Sequence, residues 1–345
     1  MMPAVYRRLG RVALAAACCL PAGCRREVAD PAATVRVSKT QPHMGVPWTI
    51  TVYAADHEAG AAAIAAGFAE VTRLERILSD YDPDSELSCL SAAAPTLQAV
   101  PVGDDLWSVL VRGEEIRNLT DGAFDIAVGP LTTLWRQSRR SGHLPRPDKL
   151  AAARTAAGPG AIMLDRQAQA VSLTRPGMRL DPGGIGMGYT ADRVLEVLRQ
   201  HGVAAAMVDA SGDIAVSAAP PGAGGWRIRV AGLPGDEGSG GGTVLLTQAA
   251  VTTSGDAHQA VEIDGQRYSH IVDPRTGLGV TGPAAVTVIA PDATTADALA
   301  TAASVLGPDR GPDVVGRFPG CAARFIWHAG KARRHVATPG WPVRE

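Results

Sequence analysis

The sequence predicts a mixed fold of α-helices and β-strands, and three stretches carry this prediction. Residues 57–79 repeat apolar side chains at the three-to-four spacing that places them on one buried helix face. Residues 104–119 show a second amphipathic pattern of the same kind. Residues 260–263 and 266–272 alternate in polarity on either side of Asp264-Gly265, a dipeptide typical of a tight β-hairpin turn.

Further elements follow along the chain from local patterns and flanking turn residues. We expect two shorter helices, at residues 191–200 and 296–306, which end at Gly202 and Gly307. The polar stretch 138–160 is interpreted as surface, and the insert 232–242 as a flexible hairpin tip. Strands are expected at residues 48–53, at two places within 161–180, and at 204–209, 226–231, 243–247, 285–289, 320–326 and 332–336.

Composition limits the class of protein. The chain has 345 residues, a formal net charge of −1, 46% hydrophobic residues and only 4% aromatic residues. A large core is therefore possible, and it must be aliphatic and rich in alanine. The near-zero charge argues against a broad nucleic-acid-binding surface. Length alone suggests about two domains.

The first 24 residues are typical of an export signal. Three arginines within residues 7–11 precede a short apolar stretch, residues 12–20. The segment Leu20-Pro21-Ala22-Gly23-Cys24 then resembles a bacterial lipobox, with Cys24 as the lipidated first mature residue. Pro21 departs from the usual leucine, so simple cleavage remains an alternative, as does a twin-arginine signal.

The leader implies an exported protein. We expect a lipid-anchored location on the periplasmic side of the inner membrane, or a soluble periplasmic one. Residues 25–41 are interpreted as a tether, and no later apolar run is long enough to span a bilayer.

Two cysteines remain after the leader, Cys89 and Cys321. They are compatible with one disulfide in an oxidising compartment, and equally with two buried thiols. The absence of a CxxC pair and of paired Cys/His spacing argues against zinc.

The stretch 251–280 concentrates groups that carry chemistry. His270 comes near the end of the second hairpin strand, just before the turn 273–277, where a scaffold commonly presents a reactive group. Asp273 and Arg275 are expected to order that turn, with a phosphate contact by Arg275 as the alternative. His258 is a second candidate base on composition alone.

Three other places have both a structural and a functional interpretation. The glycine-rich run 181–189 suits close approach of backbone N–H groups to phosphate, although it is not a nucleotide-binding fingerprint. Phe124 is either a loop anchor in the core or a wall against a flat ligand, with Asp125 accepting hydrogen bonds. Asp297 either complements a helix dipole or binds a hard cation together with Thr301, four residues later on the same face.

Several blocks together resemble the FAD:protein FMN transferase (ApbE) family. They run in family order across residues 44–307. The blocks are Met44-Gly45, the run from Tyr81 to Leu87, Asp121 to Asp125, Asp181 to Gly184, Ser211 to Asp213, Thr253 to Asp256, Ser269 to Gly277 and Asp297 to Thr301.

The resemblance implies an α+β fold, with mainly antiparallel sheets packed with helices in a single two-lobed, T-fold-type catalytic domain, residues 42–340. It implies an enzyme that uses Mg²⁺ and FAD. FMN would pass from FAD to a Ser or Thr hydroxyl of a target protein, and AMP would leave. The target would be a respiratory or redox subunit that carries a short Ser/Thr motif.

The resemblance also assigns roles to residues. His270 would accept the proton of the target hydroxyl. Magnesium would be held by Asp297 and Thr301, with backbone oxygen from Gly184 and Ala300. The positions that line the FAD site in the family correspond to Met44, Tyr81, Ala123, Phe124, Asp125, Asp181, Met187 and Ile271.

One residue departs from the family pattern. Many members carry Lys or another polar residue where this chain has Met187, so weaker or altered FAD binding is expected. Two other functions compete with transfer. One is hydrolysis of FAD to FMN and AMP on the same scaffold, and the other is an exported flavin-binding lipoprotein without chemistry.

Overall fold

The structure is a computed structural model that describes residues 34–233, 242–255, 260–281, 285–330 and 332–342. Its helices are α1 (His57–Leu78), α2 (Glu86–Ala92), α3 (Asp104–Leu119), α4 (Gly129–Ser141), α5 (Pro147–Ala156), α6 (Gly186–Gln200) and α7 (Ala293–Val315), with a short 3-10 helix at Ile126–Val128. Its strands are β1 (Val35–His43), β2 (Val46–Ala54), β3 (Val100–Pro101), β4 (Ile162–Asp165), β5 (Ala170–Leu173), β6 (Ala205–Ala210), β7 (Asp213–Val216), β8 (Trp226–Arg229), β9 (Thr243–Leu246), β10 (Ala249–Gly255), β11 (Val261–Ile263), β12 (Gln266–Tyr268), β13 (Ala285–Ala290), β14 (Ala322–Ala329) and β15 (Ala332–Ala337).

The main sheet has eight strands in the order β1-β2-β6-β7-β10-β13-β14-β15, and every neighbouring pair is antiparallel. A three-stranded sheet, β3-β5-β4, and the hairpins β8–β9 and β11–β12 are antiparallel as well. The expected fold class, α+β with mainly antiparallel sheets, is therefore confirmed.

Both faces of the main sheet are covered. Helices α1, α6 and α7 pack on one face, where Trp48 and Ile50 of β2 are fully buried beneath them. The hairpin β8–β9 contributes Trp226 and Ile228 to a cluster with alternate residues such as Val216 and Val251. Side chains of a strand alternate between faces, so this hairpin covers the opposite face.

Helix α7 joins the sheet to a second hydrophobic cluster built from α2, α3 and the small sheet. Five alanines in its first half, Ala296, Ala298, Ala300, Ala302 and Ala303, are each at most 1% exposed. Because these side chains are single methyl groups, the helix backbone lies close to its neighbours on several sides.

The long amphipathic helices are predicted well from the sequence. Helix α3 has the expected bounds, and α1 ends one residue early. The hairpin turn at Asp264-Gly265 is also confirmed, with φ of 51° and 75° at the two residues. Met44-Gly45 forms the same kind of two-residue turn between β1 and β2, with φ of 49° and 78°. Two positive φ values in succession match the twist of the strands on either side.

Other expectations are wrong in part. Strand β1 includes residues 35–41, which we had interpreted as tether. The stretch 138–160 is mostly exposed, as expected, although it contains the end of α4 and the whole of α5. Helix α7 begins at Ala293, three residues before the expected start. Its first segment ends at Gly307 as expected, because φ 69° and ψ −177° break the helical path there, and a second segment continues to Val315.

Among the described residues, Cys89 and Cys321 carry free thiols. Cys89 is exposed and Cys321 is partly buried, so neither the disulfide nor a buried pair is observed. None of the helices in the described ranges combines the length and apolar character that a bilayer crossing requires.

Candidate active site

Helix α7 carries three of the predicted metal ligands on one face. Asp297 and Thr301 are one turn apart, and Ala300 precedes Thr301. The helix begins after Asp292, whose carboxylate accepts a 2.7 Å hydrogen bond from the N–H of Thr295. This cap fixes where the helix starts, one turn before Asp297.

The Asp297 carboxylate is 4% exposed and accepts a 3.1 Å hydrogen bond from the backbone N–H of Gly188. Burial, and then repulsion from the nearby Asp213 carboxylate, raise the pKa of Asp297 well above its ordinary value. Asp213 is buried too, and desolvation raises its pKa to about 7. Burial makes both carboxylates difficult to ionise, so a cation bound beside them would stabilise their charged forms.

Gly184 lies directly against Thr301. A Cβ at Gly184 would fall 2.7 Å from Thr301 Oγ1 and 3.1 Å from its Cβ, so a side chain there would force Thr301 or the Gly184 backbone to move. Within the described ranges Thr301 Oγ1 makes no hydrogen bond to protein. The carbonyl oxygen of Ala300 accepts a 2.8 Å hydrogen bond from Ser304 Oγ. The Thr301 hydroxyl and the Gly184 backbone are thus in contact, one helical turn along α7 from the Asp297 carboxylate.

These donors fit magnesium. Carboxylate, hydroxyl and carbonyl oxygens are the hard ligands that Mg²⁺ takes in proteins. Among the described residues no three His, Cys, Asp or Glu side chains are grouped as a metal site. A cation at this point would therefore rely on Asp297 together with hydroxyl and backbone oxygens, which is the set expected from the sequence.

The glycine-rich run serves close packing. Gly186 and Gly188 lie inside α6, not in a loop before it. The N–H groups of Ile185 and Gly186 bond to the carbonyl of Pro182, and that of Gly188 bonds to Asp297. A Cβ at Gly188 would fall 2.2 Å from the carbonyl oxygen of Ala293. Gly188 lets α6 and α7 approach each other, and that approach brings Gly184 to Thr301.

His270 lies two residues beyond the end of β12, and not within that strand as expected; it stands on a second, narrow hairpin, residues 269–280, that leads to the turn 273–277. Ser269 N–H bonds to Val280 O at 2.9 Å, and Val280 N–H bonds to Ile271 O at 2.9 Å, so the residues on either side of His270 are both fixed. Trp135 of α4 donates its indole N–H to Ser269 O at 2.9 Å. The hairpin is therefore anchored to α4 immediately next to the predicted base.

The turn after His270 is ordered as expected. The Arg275 guanidinium donates through Nε and an Nη to the two carboxylate oxygens of Asp273, each at 2.9 Å. The backbone N–H of Arg275 bonds to the same carboxylate at 2.9 Å. This pairing engages the Arg275 side chain inside the turn, which favours the structural role over a phosphate contact.

Tyr81 and Asp181 meet through Arg136 of α4. Arg136 donates to Asp181 Oδ2 at 3.0 Å and to Asp80 Oδ2 at 2.5 Å. Its guanidinium carbon lies 4.6 Å from the centroid of the Tyr81 ring, which is otherwise 77% exposed. Asp181 also accepts from Thr132 Oγ1 at 2.5 Å. Two predicted FAD-site residues are thus held together by one arginine.

The predicted segment 123–125 is buried. Ala123 and Phe124 are 2% and 3% exposed and belong to the large cluster around α3. This supports the core-anchor interpretation of Phe124. Asp125 accepts a 2.8 Å hydrogen bond from Ala127 N–H and lies 3.5 Å from the Arg117 guanidinium, and desolvation raises its pKa.

Met44 and Met187 lie at the edge of the cluster formed by β2, α1 and α6, and both are partly buried. Met44 is held at its turn by a 2.9 Å hydrogen bond from its N–H to Glu75 Oε1. Ile271, 8% exposed, packs into the large cluster. Cys24 and His258 lie outside the described residues.

Sequence reasoning missed the part that α4 plays. Thr132, Trp135 and Arg136 connect the Asp181 segment, Tyr81 and the His270 hairpin. A signal was present, since Pro130 stands in the first turn of α4 and Gly142, with φ 72°, ends it.

Comparisons with known proteins agree with this arrangement. The ApbE family model matches residues 44–325. A Klebsiella pneumoniae (strain 342) protein named FAD:protein FMN transferase is 32% identical over 337 residues, covering 95% of each chain. The crystal structure of Pseudomonas stutzeri flavinyl transferase ApbE, in its apo form, superposes with a TM-score of 0.78 at 29% identity and covers 89% of this chain and 95% of that one. The flavin transferase ApbE from Vibrio cholerae gives a TM-score of 0.79 at 27% identity, with 89% and 98% covered.

Proposed function

This chain belongs to the ApbE family, and we propose that it is an enzyme that transfers FMN from FAD to a Ser or Thr hydroxyl of a target protein, releasing AMP. The observation that carries the proposal is the meeting of two distant segments. Asp297 and Thr301 of α7 contact Gly188 and Gly184, and the resulting group of oxygen donors suits a reaction at a charged pyrophosphate.

We propose that Asp297, Thr301 and the backbone oxygens of Gly184 and Ala300 hold the magnesium ion. Bound there, magnesium would neutralise charge on the pyrophosphate and assist the departure of AMP. Support comes from the raised pKa of Asp297, since a buried carboxylate gains most from a cation beside it.

His270 is proposed as the base. The target hydroxyl oxygen attacks the phosphorus on the FMN side, its proton passes to the imidazole, and the P–O bond to the AMP phosphate breaks. The result is a phosphoester on the target and free AMP. The fixed backbone on both sides of His270 keeps the imidazole on a rigid support, which proton transfer at a defined distance requires.

We propose that FAD lies across the surface that joins these groups. Tyr81, Asp181, Met44, Met187 and Ile271 would contact it through side chains. The buried Ala123, Phe124 and Asp125 would contribute through the backbone of their loop and through the remaining acceptor capacity of Asp125.

The test uses the purified mature protein with FAD, MgCl₂ and a Ser/Thr-containing target peptide. Mass spectrometry follows the peptide, and chromatography follows FMN and AMP. We expect the peptide to gain one FMN group and one AMP to be released for each transfer, and a chelator should abolish both changes. His270→Asn should lower transfer by at least about 100-fold, the usual size of general-base catalysis. His201→Asn, an exposed histidine at the far end of α6, is the matched control.

Each result decides between functions. Free FMN and AMP with an unmodified peptide, for every target tried, would show that the enzyme hydrolyses FAD and does not transfer FMN. FAD that binds and stays intact would show that the protein carries FAD without chemistry. Full transfer by His270→Asn would remove His270 from the mechanism.

We also propose that the protein is exported and anchored through lipidated Cys24, with a respiratory or redox subunit as target. The leader sequence supports the anchor. Cell fractionation of wild type and Cys24→Ser tests it, because the variant should leave the membrane fraction if the anchor is lipid.

A further inference from the structure

Arg136 contacts three residues that come from two other parts of the chain. Its two Nη atoms donate separately, to Asp80 and to Asp181, and its π face covers the Tyr81 ring. Only a planar guanidinium has separate donors for two carboxylates and a flat face for a ring at the same time. A lysine has one point charge and can satisfy one of these contacts well.

The positions of the Asp80 and Asp181 side chains depend on the positive charge of Arg136. Asp80 and Asp181 both bond to the same guanidinium, so the two carboxylates face each other across it. Burial, and then Asp181, raise the pKa of Asp80, while Arg136 acts in the opposite direction. Without Arg136 the two carboxylates would repel each other, and the Asp80 side chain would turn away from Asp181.

The backbone beneath Tyr81 is held independently of Arg136. Arg179 donates to the carbonyl oxygen of Asp80 at 3.1 Å, and Ser79 Oγ accepts from the N–H of Tyr81 at 3.2 Å. Loss of Arg136 would therefore free the Tyr81 ring while the turn below it stays in place. One face of the ring rests on Arg136, and the 77% exposure leaves the other face open to solvent.

We infer that Arg136 is a positioning residue for FAD, which holds the Tyr81 ring as a stacking surface at a fixed separation from the Asp181 carboxylate. A flat ring of FAD stacks on the open face of Tyr81 while Asp181 accepts a hydrogen bond from the same molecule. This inference rests on the proposed function. Arg136 touches neither FAD nor the target in this arrangement, and acts through Tyr81 and Asp181.

The experiment compares wild type with Arg136→Met, Arg136→Lys and the control Arg140→Met, an exposed arginine on the same helix. Thermal unfolding first establishes that each variant is folded. FAD affinity is then measured by flavin fluorescence, and KM for FAD and kcat are measured separately in the transfer assay. Tyr81→Leu is made alone and combined with Arg136→Met to complete a double-mutant cycle.

We expect Arg136→Met to weaken FAD binding by about tenfold, and Arg136→Lys by about threefold, because aromatic and ion-pair contacts of this kind are each worth roughly 1 kcal/mol. The loss should appear in KM, with kcat at saturating FAD changed by less than about twofold. Arg140→Met should bind as wild type. In the Tyr81→Leu background, Arg136→Met should reduce the binding free energy of FAD by at most about half of the reduction it causes in wild type, because both residues act through one surface.

Two outcomes overturn the inference. One is wild-type FAD affinity in folded Arg136→Met, and the other is full additivity of the two substitutions. If Arg136→Met does not fold, Arg136→Lys takes its place in the same measurements. Unchanged FAD affinity of that variant, together with full additivity with Tyr81→Leu, would then overturn the inference. A wild-type protein that binds no FAD would overturn the proposed function and this inference together.

Discussion

Trp135 donates its indole N–H to the carbonyl oxygen of Ser269 at 2.9 Å, one residue before His270. The next residue on the same helix, Arg136, bonds to Asp181. Helix α4 therefore links the hairpin that carries the proposed base to the segment that leads into α6. A change on α4 can alter catalysis without touching any ligand.

Trp135→Phe tests this link. The substitution removes the donor and leaves a buried carbonyl unsatisfied, so we expect a stability loss of about 1–3 kcal/mol. Transfer should fall by about tenfold, and FAD affinity should change little, because His270 and not the FAD surface loses its anchor. Trp226→Phe is the control, since its indole N–H bonds to Ala218 O at 2.9 Å on the other face of the sheet. Equal effects of both substitutions on transfer would contradict the link.

Gly184→Ala tests the contact between Gly184 and Thr301. The new Cβ would fall 2.7 Å from Thr301 Oγ1, so Thr301 or the Gly184 backbone must move. We expect the Mg²⁺ concentration for half-maximal transfer to rise by about tenfold, with a stability cost of about 1–3 kcal/mol. Gly186→Ala is the control, because its Cβ would lie 3.5 Å from Pro182 Cβ, an ordinary van der Waals contact. That variant should be as active as wild type. Unchanged magnesium dependence in Gly184→Ala would remove Gly184 from the site.

Asp297→Asn separates the charge of this residue from its hydrogen bond. Asparagine still accepts from Gly188 N–H and carries no charge to bury, so unfolding without metal should need at least as much free energy as in wild type. Transfer should fall by at least about 100-fold, because the carboxylate ligand is lost. Asp292→Asn keeps the helix cap and should remain active. A destabilised but active Asp297→Asn would contradict both expectations.

Asp192 should make folding pH-dependent. Its carboxylate accepts from the N–H groups of Ala293 and Thr294, and desolvation, the largest cause, raises its pKa from 3.8 to about 6. The unfolded chain loses this proton first as pH rises. The stability contributed by the protonated folded form is therefore complete below about pH 3.8 and is lost as pH rises through about 6. Between pH 5 and 7, the free energy of unfolding of wild type should fall by about 1 kcal/mol more than that of Asp192→Asn.

Denaturant unfolding at several pH values, with chelator present, measures this difference. Asp148→Asn, which replaces an exposed carboxylate, is the control and should follow wild type. Parallel pH profiles for wild type and Asp192→Asn would show that Asp192 ionises normally in the folded protein.

Met187→Lys tests the departure from the family pattern. Met187 lies in the first turn of α6, partly buried against the cluster under β2. A lysine there should strengthen FAD binding by about tenfold, the size of one charge-assisted hydrogen bond. Met187→Leu should bind FAD as wild type does, because it adds no polar group. Weaker binding by the lysine variant, measured by flavin fluorescence, would show that Met187 contributes packing that lysine cannot replace.

Local patterns in the sequence predicted much of the fold. Helices α1 and α3 and the hairpin at Asp264-Gly265 depend on apolar spacing and turn chemistry within short windows. Helix α5 is mostly exposed and has little apolar pattern to reveal it. Helix α4 was missed although Pro130 and Gly142 mark its ends.

The α7 residues of the candidate site could be predicted because Asp297 and Thr301 are close in sequence. The contact of Gly184 with Thr301 depends on the packing of α6 against α7, which no local pattern encodes. Arg136 lies 45 residues from Asp181 and 56 from Asp80, so its role emerges only from the folded chain.

The alanines of α7 have a consequence for how freely this chain can vary. Five of them, between Ala296 and Ala303, have almost no exposed surface, and the helix they belong to carries Asp297 and Thr301. Any larger side chain would push the whole helix outward and move both residues together. In a saturation mutagenesis experiment we therefore expect this short segment to accept almost no replacement but glycine or serine, even at positions that contact no ligand. The composition of one helix would thus restrict the evolutionary routes open to the enzyme at positions that take no part in catalysis.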